Sequence, residues 1–164
     1  MKNMINRCHI EGFLYEHDLQ LRVTGEKSKN PGTEFIMGTV SIATDDNITN
    51  IVPVHFTYVT ETTGKGNSNP TFTVLKQIIS GELSSVMSGG VDTSARLRID
   101  TAIGLNEFYT DRSGKEELVS AKRNEGGFVH VTPTLSADEK QRDTFECDML
   151  ITNVRVIDAD EEKN

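Results

Sequence analysis

The sequence is poor in cysteine, and its cysteines and histidines show no metal-binding spacing. Cys8 and Cys147 are the two cysteines, and they lie far apart without any C-x-x-C pattern. This spacing indicates neither a zinc site nor a redox pair. The histidines are equally scattered, at His9, His17, His55 and His130. We therefore expect reduced, half-buried thiols and a protein that uses no metal and no cofactor.

Long apolar runs are also missing. Residues 1–12 contain no apolar core of signal-peptide length, and no later run approaches the length of a membrane-spanning helix. The sequence therefore predicts a cytoplasmic (intracellular) protein with no membrane partner.

Positive charge is in deficit, with 17 Lys and Arg against 25 Asp and Glu and a formal net charge of -8. Because affinity for nucleic acid depends mainly on neutralised phosphates, this total argues against broad, nonspecific attraction to polyphosphate. The basic residues are unevenly placed, however, and a local basic groove is compatible with the total. Those in or beside predicted strands and loops are Arg7, Arg22, Lys27, Lys29, Arg96, Arg98, Lys122 and Arg123.

The motifs of common enzymes are absent as well. Two pairs of adjacent acids, at residues 45–46 and 116–117, lie next to turns. Neighbouring side chains on a strand point to opposite faces, which is poor geometry for shared acid–base or metal chemistry. The glycine-containing stretches 25–32 and 63–69 lack the spacing of a phosphate-binding loop. We expect a protein that is not an enzyme.

What the sequence does contain is strand-like alternation. Residues 5–25 read as strand, break, strand, with Arg7, His9 and Glu11 on one face and Cys8, Ile10 and Leu14 on the other. Further strands are predicted at residues 33–44, with a bulge at Gly38, at 48–59, at 95–105 and at 144–157. A turn is predicted at residues 111–114.

One helix interrupts the strands. It is predicted to begin at Pro70 with Asn69 as its N-cap, to carry apolar residues at helical spacing as far as Val86, and to stop at Gly89-Gly90. The order of elements predicts a mainly β, five-stranded OB-fold barrel, with this helix between strands 3 and 4 and an extended insertion between strands 4 and 5. A different small barrel or a sandwich fits the same order.

The strand sequences are similar to those of bacterial and phage single-stranded DNA-binding proteins. "INRCHIEGFLYEHDLQLRVTG" resembles the opening of that family, with its Asn-Arg pair, a breaking Gly and a Leu-x-Leu-Arg run. "FIMGTVSIAT" and "IVPVHF" resemble its second and third strands, "FYTDRSGKE" the turn after the fourth, and "FECDMLITNVRVI" the closing strand. The resemblance covers nearly the whole chain and implies one OB-fold domain at residues 1–157, with an insertion at about 118–142 and an acidic end at 158–164.

The resemblance implies non-sequence-specific binding of single-stranded DNA, with aromatic rings stacked on bases and basic side chains along the backbone. Arg7 and Arg22 match basic positions of the family, and Tyr109 falls where the family commonly has a stacking Trp. Phe56 either stacks or belongs to the core, with His55 then on the binding side. The complete predicted interface is Arg7, Arg22, Lys27, Lys29, His55, Phe56, Arg96, Arg98, Phe108, Tyr109, Arg112, Lys122 and Arg123.

The chain also departs from the family. It has no Trp, so stacking must rest on Phe and Tyr, and its end lacks the long linker and the apolar tip that recruit partner proteins. The resemblance implies a homo-oligomer, dimer or tetramer, encoded by a phage or mobile element, that protects or organises DNA during replication or recombination and meets the proteins of those processes. The alternative is an OB-like structural or protein-interaction module that binds no nucleic acid and whose aromatic and basic residues do not share a face.

Overall fold

The computed structural model describes residues 4–112 and 115–149 of the chain. They form a mainly β structure, as the alternation predicts. The strands are β1 (Asn6–His17), β2 (Gln20–Val23), β3 (Glu34–Ala43), β4 (Ile51–Thr60), β5 (Arg96–Arg112), β6 (Lys115–Val131) and β7 (Asp143–Cys147). The helices are α1 (Pro70–Ser80) and α2 (Val86–Gly89), with 3₁₀ turns at Val91–Thr93 and Glu139–Gln141. None of the helices in these described residues is long and apolar enough to span a membrane.

Five of the strands close into a ring. The sheet order is β2-β3-β4-β6-β5-β1-β7, and an additional pairing joins β3 to β1. The ring therefore runs β1-β3-β4-β6-β5 and back to β1. All its pairings are antiparallel except β4 with β6, which is parallel. Strands β2 and β7 add to the ring from outside, on β3 and β1.

The closing strand is not the one that the sequence predicts. Residues 118–131, predicted to belong to an insertion, lie in β6, and β6 is the strand that pairs with β4. The segment from residue 144, predicted to close the ring, forms β7 and pairs only with β1 over its described residues. The prediction failed because both segments alternate, and alternation identifies a strand without identifying its partner.

Gly12 marks the point where β1 changes partners. Residues before it pair with β5, residues after it pair with β3, and Phe13 pairs with both. A Cβ atom on Gly12 would lie 2.0 Å from the carbonyl oxygen of Ala43. Only glycine lets the two backbones approach this closely, so the ring closes here because Gly12 has no side chain.

A bulge interrupts the pairing of β3 with β4 next to Gly38, where it is predicted, but its extra residue lies in β4: Thr57 and Tyr58 together stand opposite Met37. The pairing of β3 with β4 shifts register between Ile36 and Gly38, and Gly38 has a φ of 131°. A bulge of this kind bends the strand and changes which residues face outward beyond it. The consequence for Tyr58 is described below.

The core lies inside the ring and under α1. Asn69 caps the helix as predicted, because its side chain accepts a hydrogen bond from the backbone N–H of Thr71 at 3.2 Å. The helix ends at Ser80, earlier than predicted, because Gly81 adopts a left-handed conformation with φ 78°. The buried cluster is Ile10, Leu14, Leu19, Ile36, Val40, Ile42, Val54, Phe56, Phe72, Leu75, Ile78, Leu97, Ile99 and Val129.

Candidate nucleic-acid interface

An arginine and two aromatic rings lie side by side on the outer surface of β2, β3 and β4. Arg22 is opposite Phe35 in the β2–β3 pairing, so the two side chains leave the sheet on the same side. The ring of Phe35 lies 4.8 Å from that of Tyr58, centroid to centroid. Tyr58 is 51% exposed. We call this surface, defined by Arg22, Phe35 and Tyr58, the aromatic face.

The loop between β2 and β3 borders the aromatic face and carries Lys27 and Lys29. Both lysines are exposed, and neither forms an ion pair with another described residue. A cavity of about 570 Å³ separates this loop from the segment that follows β4. It is lined by Asn30, Thr33, Tyr58, Thr60, Thr62, Thr63, Gly64 and Gly66.

A second polar hollow continues the outer surface towards β6. It measures about 370 Å³ and is lined by Thr39, Pro53, His55, Lys122, Arg123 and Asn124. His55 lies opposite Thr39, and its Nδ1 is 3.0 Å from the Thr39 hydroxyl. Three of the predicted interface residues, His55, Lys122 and Arg123, therefore meet at one place.

Beyond the ring, β5 and β6 continue as a two-stranded ribbon, residues 103–112 and 115–124, which we call the arm. Opposite residues share a face: Gly104 with Arg123, and Phe108 with Val119. This face continues the outer surface of the ring. Tyr109 lies opposite Leu118 on the other face, so Phe108 and Tyr109 point to opposite sides as predicted. The side chain of Arg112 lies outside the described residues, as do residues 158–164.

A different set of charges lies on the outer surface of β1 and β5. His9 is opposite Asp100, and Glu11 is opposite Arg98. The guanidinium of Arg98 donates to Asp100 at 2.9 and 3.1 Å. The ring nitrogens of His9 lie 3.0 Å from Asp100 and 3.4 Å from Glu11. We call this set of four residues the paired face.

The paired face is separate from the aromatic face. Arg98 pairs with His130 of β6, whereas His55 pairs with Glu125. Along β6, Glu125 and His130 are roughly 16 Å apart at 3.3 Å per residue. Arg98 therefore does not join the hollow that contains His55.

Arg7 and Arg96 are also not part of the aromatic face. Arg7 pairs with Glu146 of β7, with 3.9 Å between its Nη1 and the carboxylate, and both side chains are largely exposed. The guanidinium of Arg96 lies 5.7 Å from the centre of the Phe13 ring. Each of these arginines already has a neighbour on β1 or β7, and the structure does not bring them to Tyr58.

Glu11 is buried, which the sequence analysis did not predict. Its side chain is only 8% exposed and accepts hydrogen bonds from the backbone N–H and the hydroxyl of Ser136. Burial alone would raise the pKa of Glu11, but the hydrogen bonds from Ser136 and His9 outweigh it, and the pKa is lowered. The pKa of Asp100 is lowered in the same way, because the contacts with His9 and Arg98 outweigh burial.

A buried arginine completes this network. Arg142 is 4% exposed, and its guanidinium donates to Asp46 at 2.6 Å and to the carbonyl oxygen of Ser136 at 2.7 Å. The backbone of Glu11 also donates to the carbonyl oxygen of Arg142 at 2.7 Å. The connection between β6 and β7 is thus held against β1 by charged groups.

Phe56 is excluded from the interface. It is completely buried in the core cluster, so of the two alternatives for this residue the core one is correct. Strict alternation along β4 would bury Tyr58 together with Phe56, but Tyr58 is 51% exposed. Val59 packs against the core instead of Tyr58, because β4 has one extra residue between Phe56 and Val59 relative to β3, and this bulge shifts the alternation of β4.

The described residues contain no group of three or more His, Cys, Asp or Glu side chains that could hold a metal ion. Comparisons with protein-family models, with curated proteins and with solved structures find no match for this chain. The aromatic face, the lysine loop and the hollow at His55 therefore have to be interpreted from their own chemistry.

Proposed function

We propose that this protein is an OB-fold protein that binds single-stranded DNA without sequence specificity, and that it protects or organises the strand during replication or recombination. One observation carries the proposal: Arg22, Phe35 and Tyr58 share one outer face, next to a loop whose two lysines form no ion pair within the described part of the chain. Exposed aromatic and arginine side chains also mark protein-interaction surfaces, so binding to single-stranded DNA is the property that distinguishes this proposal from the alternative module.

The order of the ring supports an OB-fold. The ring contains β1, β3, β4, β5 and β6, which are its first to fifth strands in chain order. Around the ring, neighbouring strands follow the order first, second, third, fifth, fourth, and the fourth pairs with the first. The helix α1 lies between the third and fourth of them. In OB-folds, the second and third strands and two of the loops bind oligonucleotides. The two rings of the aromatic face lie on those strands, Phe35 on β3 and Tyr58 on β4. Lys27 and Lys29 lie in the connection between the first and second ring strands, β1 and β3.

The chemistry of the face explains binding without readout of sequence. Phe35 and Tyr58 offer flat apolar surfaces to the bases, and every base has a face that stacks, so the interaction is tolerant of sequence. Arg22 lies opposite Phe35, and Lys27 and Lys29 lie in the loop that joins the strands of these two residues, so we expect the three cations to neutralise phosphates of a strand bound at the rings. The hollow with His55 and Arg123 offers further polar contacts towards the arm.

The net charge of -8 limits how the protein binds. Attraction must come from the local cations on the aromatic face, because the rest of the surface repels polyphosphate. Each phosphate contact on a single strand contributes about 0.7 to the slope of log affinity against log salt. A site with a few cations therefore binds with a moderate salt dependence and does not hold duplex DNA.

The proposal is tested by fluorescence anisotropy with a labelled oligo(dT) at low and moderate salt, using a duplex of equal length as the control. We expect binding to the single strand that weakens with salt, and little binding to the duplex. Absence of binding to the single strand at low salt would contradict the proposal and favour a protein-interaction module.

Two matched variants locate the site. Tyr58→Ala removes a stacking surface and is expected to cost about 1–3 kcal/mol of binding free energy, roughly a factor of 5 to 150. Phe128→Ala is the control, because Phe128 is 69% exposed but lies opposite Asp100 of the paired face. Equal losses in both variants would place the DNA elsewhere.

A further inference from the structure

The arm has an apolar face that the fold leaves uncovered. Along β5, Leu97 and Ile99 point into the ring and are completely buried. The same alternation continues into the arm, where Leu105, Tyr109 and Leu118 are 57%, 69% and 54% exposed. The side of β5 and β6 that faces the core within the ring therefore continues into the arm, where none of the described core residues covers it.

We propose that this face is covered by the same face of a second copy of the chain, with the two arms antiparallel. The inference is independent of DNA binding. We call the surface formed by Ile103, Leu105, Tyr109, Leu118 and their neighbours Glu107 and Lys122 the inner arm face. Tyr109, which the family resemblance assigns to base stacking, belongs to this surface and not to the aromatic face.

The position of the ring determines the direction of the partner. The other ring strands lie on the same side as the inner arm face, at the base of the arm. A partner whose ring lay at the same end would collide with them. A partner arm that enters from the tip, with its own ring beyond the tip, avoids this collision. The two arms are therefore antiparallel, and the contact is two-fold symmetric.

Charge on the inner arm face fits this arrangement. Lys122 lies towards the base of the arm, opposite Leu105, whereas Glu107 and Glu116 lie further towards the tip. None of these three residues forms an ion pair with another described residue. An antiparallel partner brings the acidic half of one arm alongside Lys122 of the other, twice in each dimer. A second copy thus supplies both the apolar cover and the opposite charge.

The size of the face predicts weak association. The arm is about 33 Å long at 3.3 Å per residue, and two strands are about 10 Å wide, so two faces bury roughly 650 Å² together. Stable complexes usually bury at least about 1,200 Å², and smaller contacts are transient. We expect a reversible dimer that dissociates on dilution.

Sedimentation velocity of the whole protein without DNA tests the proposal, from low micromolar to several hundred micromolar. We expect a concentration-dependent monomer–dimer equilibrium, and the double variant Leu105→Asp with Leu118→Asp is expected to weaken it at least tenfold. Both residues are exposed, so the fold tolerates the change, and Val131→Asp is a control at an exposed apolar position outside the arm. A protein that stays monomeric throughout, or a dimer unaffected by the arm variants, overturns the proposal.

Charge reversal in separate copies tests the antiparallel arrangement. Lys122→Glu alone and Glu107→Lys alone are each expected to weaken the dimer, because like charges then face each other twice. A mixture of the two variants is expected to regain association, since one contact pairs the two reversed residues and the other pairs the two native ones. If the mixture associates no better than either variant, the arms do not lie antiparallel.

Discussion

The aromatic face and the paired face each contain an exposed arginine on a strand. Each of these arginines is hydrogen-bonded to a side chain two residues away in the sequence. Arg22 donates to the amide oxygen of Gln20 at 2.6 and 3.1 Å, whereas Arg98 donates to the carboxylate of Asp100. The first contact orients the guanidinium and leaves its charge uncompensated. The second neutralises it. Two arginines that look equivalent in the sequence therefore differ in what they offer a phosphate.

The difference extends to the surroundings. Beside Arg22 are two aromatic rings and a lysine loop, while beside Arg98 are His9 and the buried Glu11, which hold β1, β5 and the β6–β7 connection together. We infer that the aromatic face serves binding and the paired face serves stability. Substitutions on one face should leave the property assigned to the other nearly unchanged.

The largest expected effect is on stability, from Glu11→Ala. The substitution leaves the partly buried N–H of Ser136 without its acceptor, and hydrogen bonds to charged groups contribute about 1.5–3 kcal/mol. We expect the free energy of unfolding in urea to fall by about 2–3 kcal/mol. Glu34→Ala is the matched control, because Glu34 is a half-exposed acid whose ion pair with Lys76 is 3.9 Å long. It is expected to change stability by no more than about 0.5 kcal/mol, and an equal loss there would contradict the structural role of Glu11.

Acid should destabilise the paired face. The folded-state pKa values of Glu11 and Asp100 are lowered below those of the unfolded chain. Their contribution to stability is therefore complete above the unfolded values of about 4, and it is lost as the pH falls from about 5 through the lower folded-state values. Thermal unfolding followed from pH 7 to pH 3 should show this loss, and the double variant Glu11→Gln with Asp100→Asn should show a shallower dependence. An unchanged pH profile in that variant would assign the acid lability to other carboxyls.

A smaller effect on binding separates the two arginines. Arg22→Ala is expected to lower the affinity for oligo(dT) about fivefold to tenfold at 50 mM salt and to reduce the salt slope by about 0.7, the value for one phosphate contact. Arg98→Ala is expected to change the affinity less than about twofold, because its charge is already neutralised by Asp100. Salt titrations of both variants measure the two slopes. Equal slopes would mean that the strand contacts both faces or neither.

Much of the fold was predictable from the sequence, and the reasons are local. The alternation in β1 and the cap at Asn69 each follow from residues close together in the chain, and the structure confirms them. The early end of α1 also has a local cause, because the next residue, Gly81, adopts the left-handed conformation. It was missed because apolar residues continue at helical spacing beyond it.

The pairing of distant strands was not predictable in the same way. The strand that closes the ring is β6, and nothing within residues 118–131 distinguishes it from the later segment that forms β7. The burial of Glu11 depends on Ser136, more than a hundred residues away. The composition of the aromatic face depends on how β4 pairs with β3, because the bulge in β4 exposes Tyr58. Side-chain environment is set by partners that a single strand does not reveal.

The smallest expected effect concerns the ion pair of Arg123 with Glu125 beside the hollow. It tests whether an ion pair is what prevents an arginine from contributing to DNA binding. Glu125 accepts from Arg123 at 2.6 Å, and its carboxylate lies across Gly104, where a Cβ atom would be 2.5 Å from Glu125 Oε2. Glu125→Gln removes the acid and leaves Arg123 available, so the affinity for oligo(dT) should rise. One charge at about 7 Å in water is worth about 0.6 kcal/mol, roughly a factor of 2 to 3.

Asp100→Asn is the matched control for that gain. It releases Arg98 on the paired face in the same way, but the strand does not pass there, so the affinity should not change beyond the small effect of a more positive net charge. If both variants bind more tightly by the same factor, the gain comes from net charge alone, and the hollow at His55 is not on the path of the DNA. If only Glu125→Gln binds more tightly, the path runs from the aromatic face past His55 to Arg123, because a local charge acts over little more than a Debye length of about 10 Å.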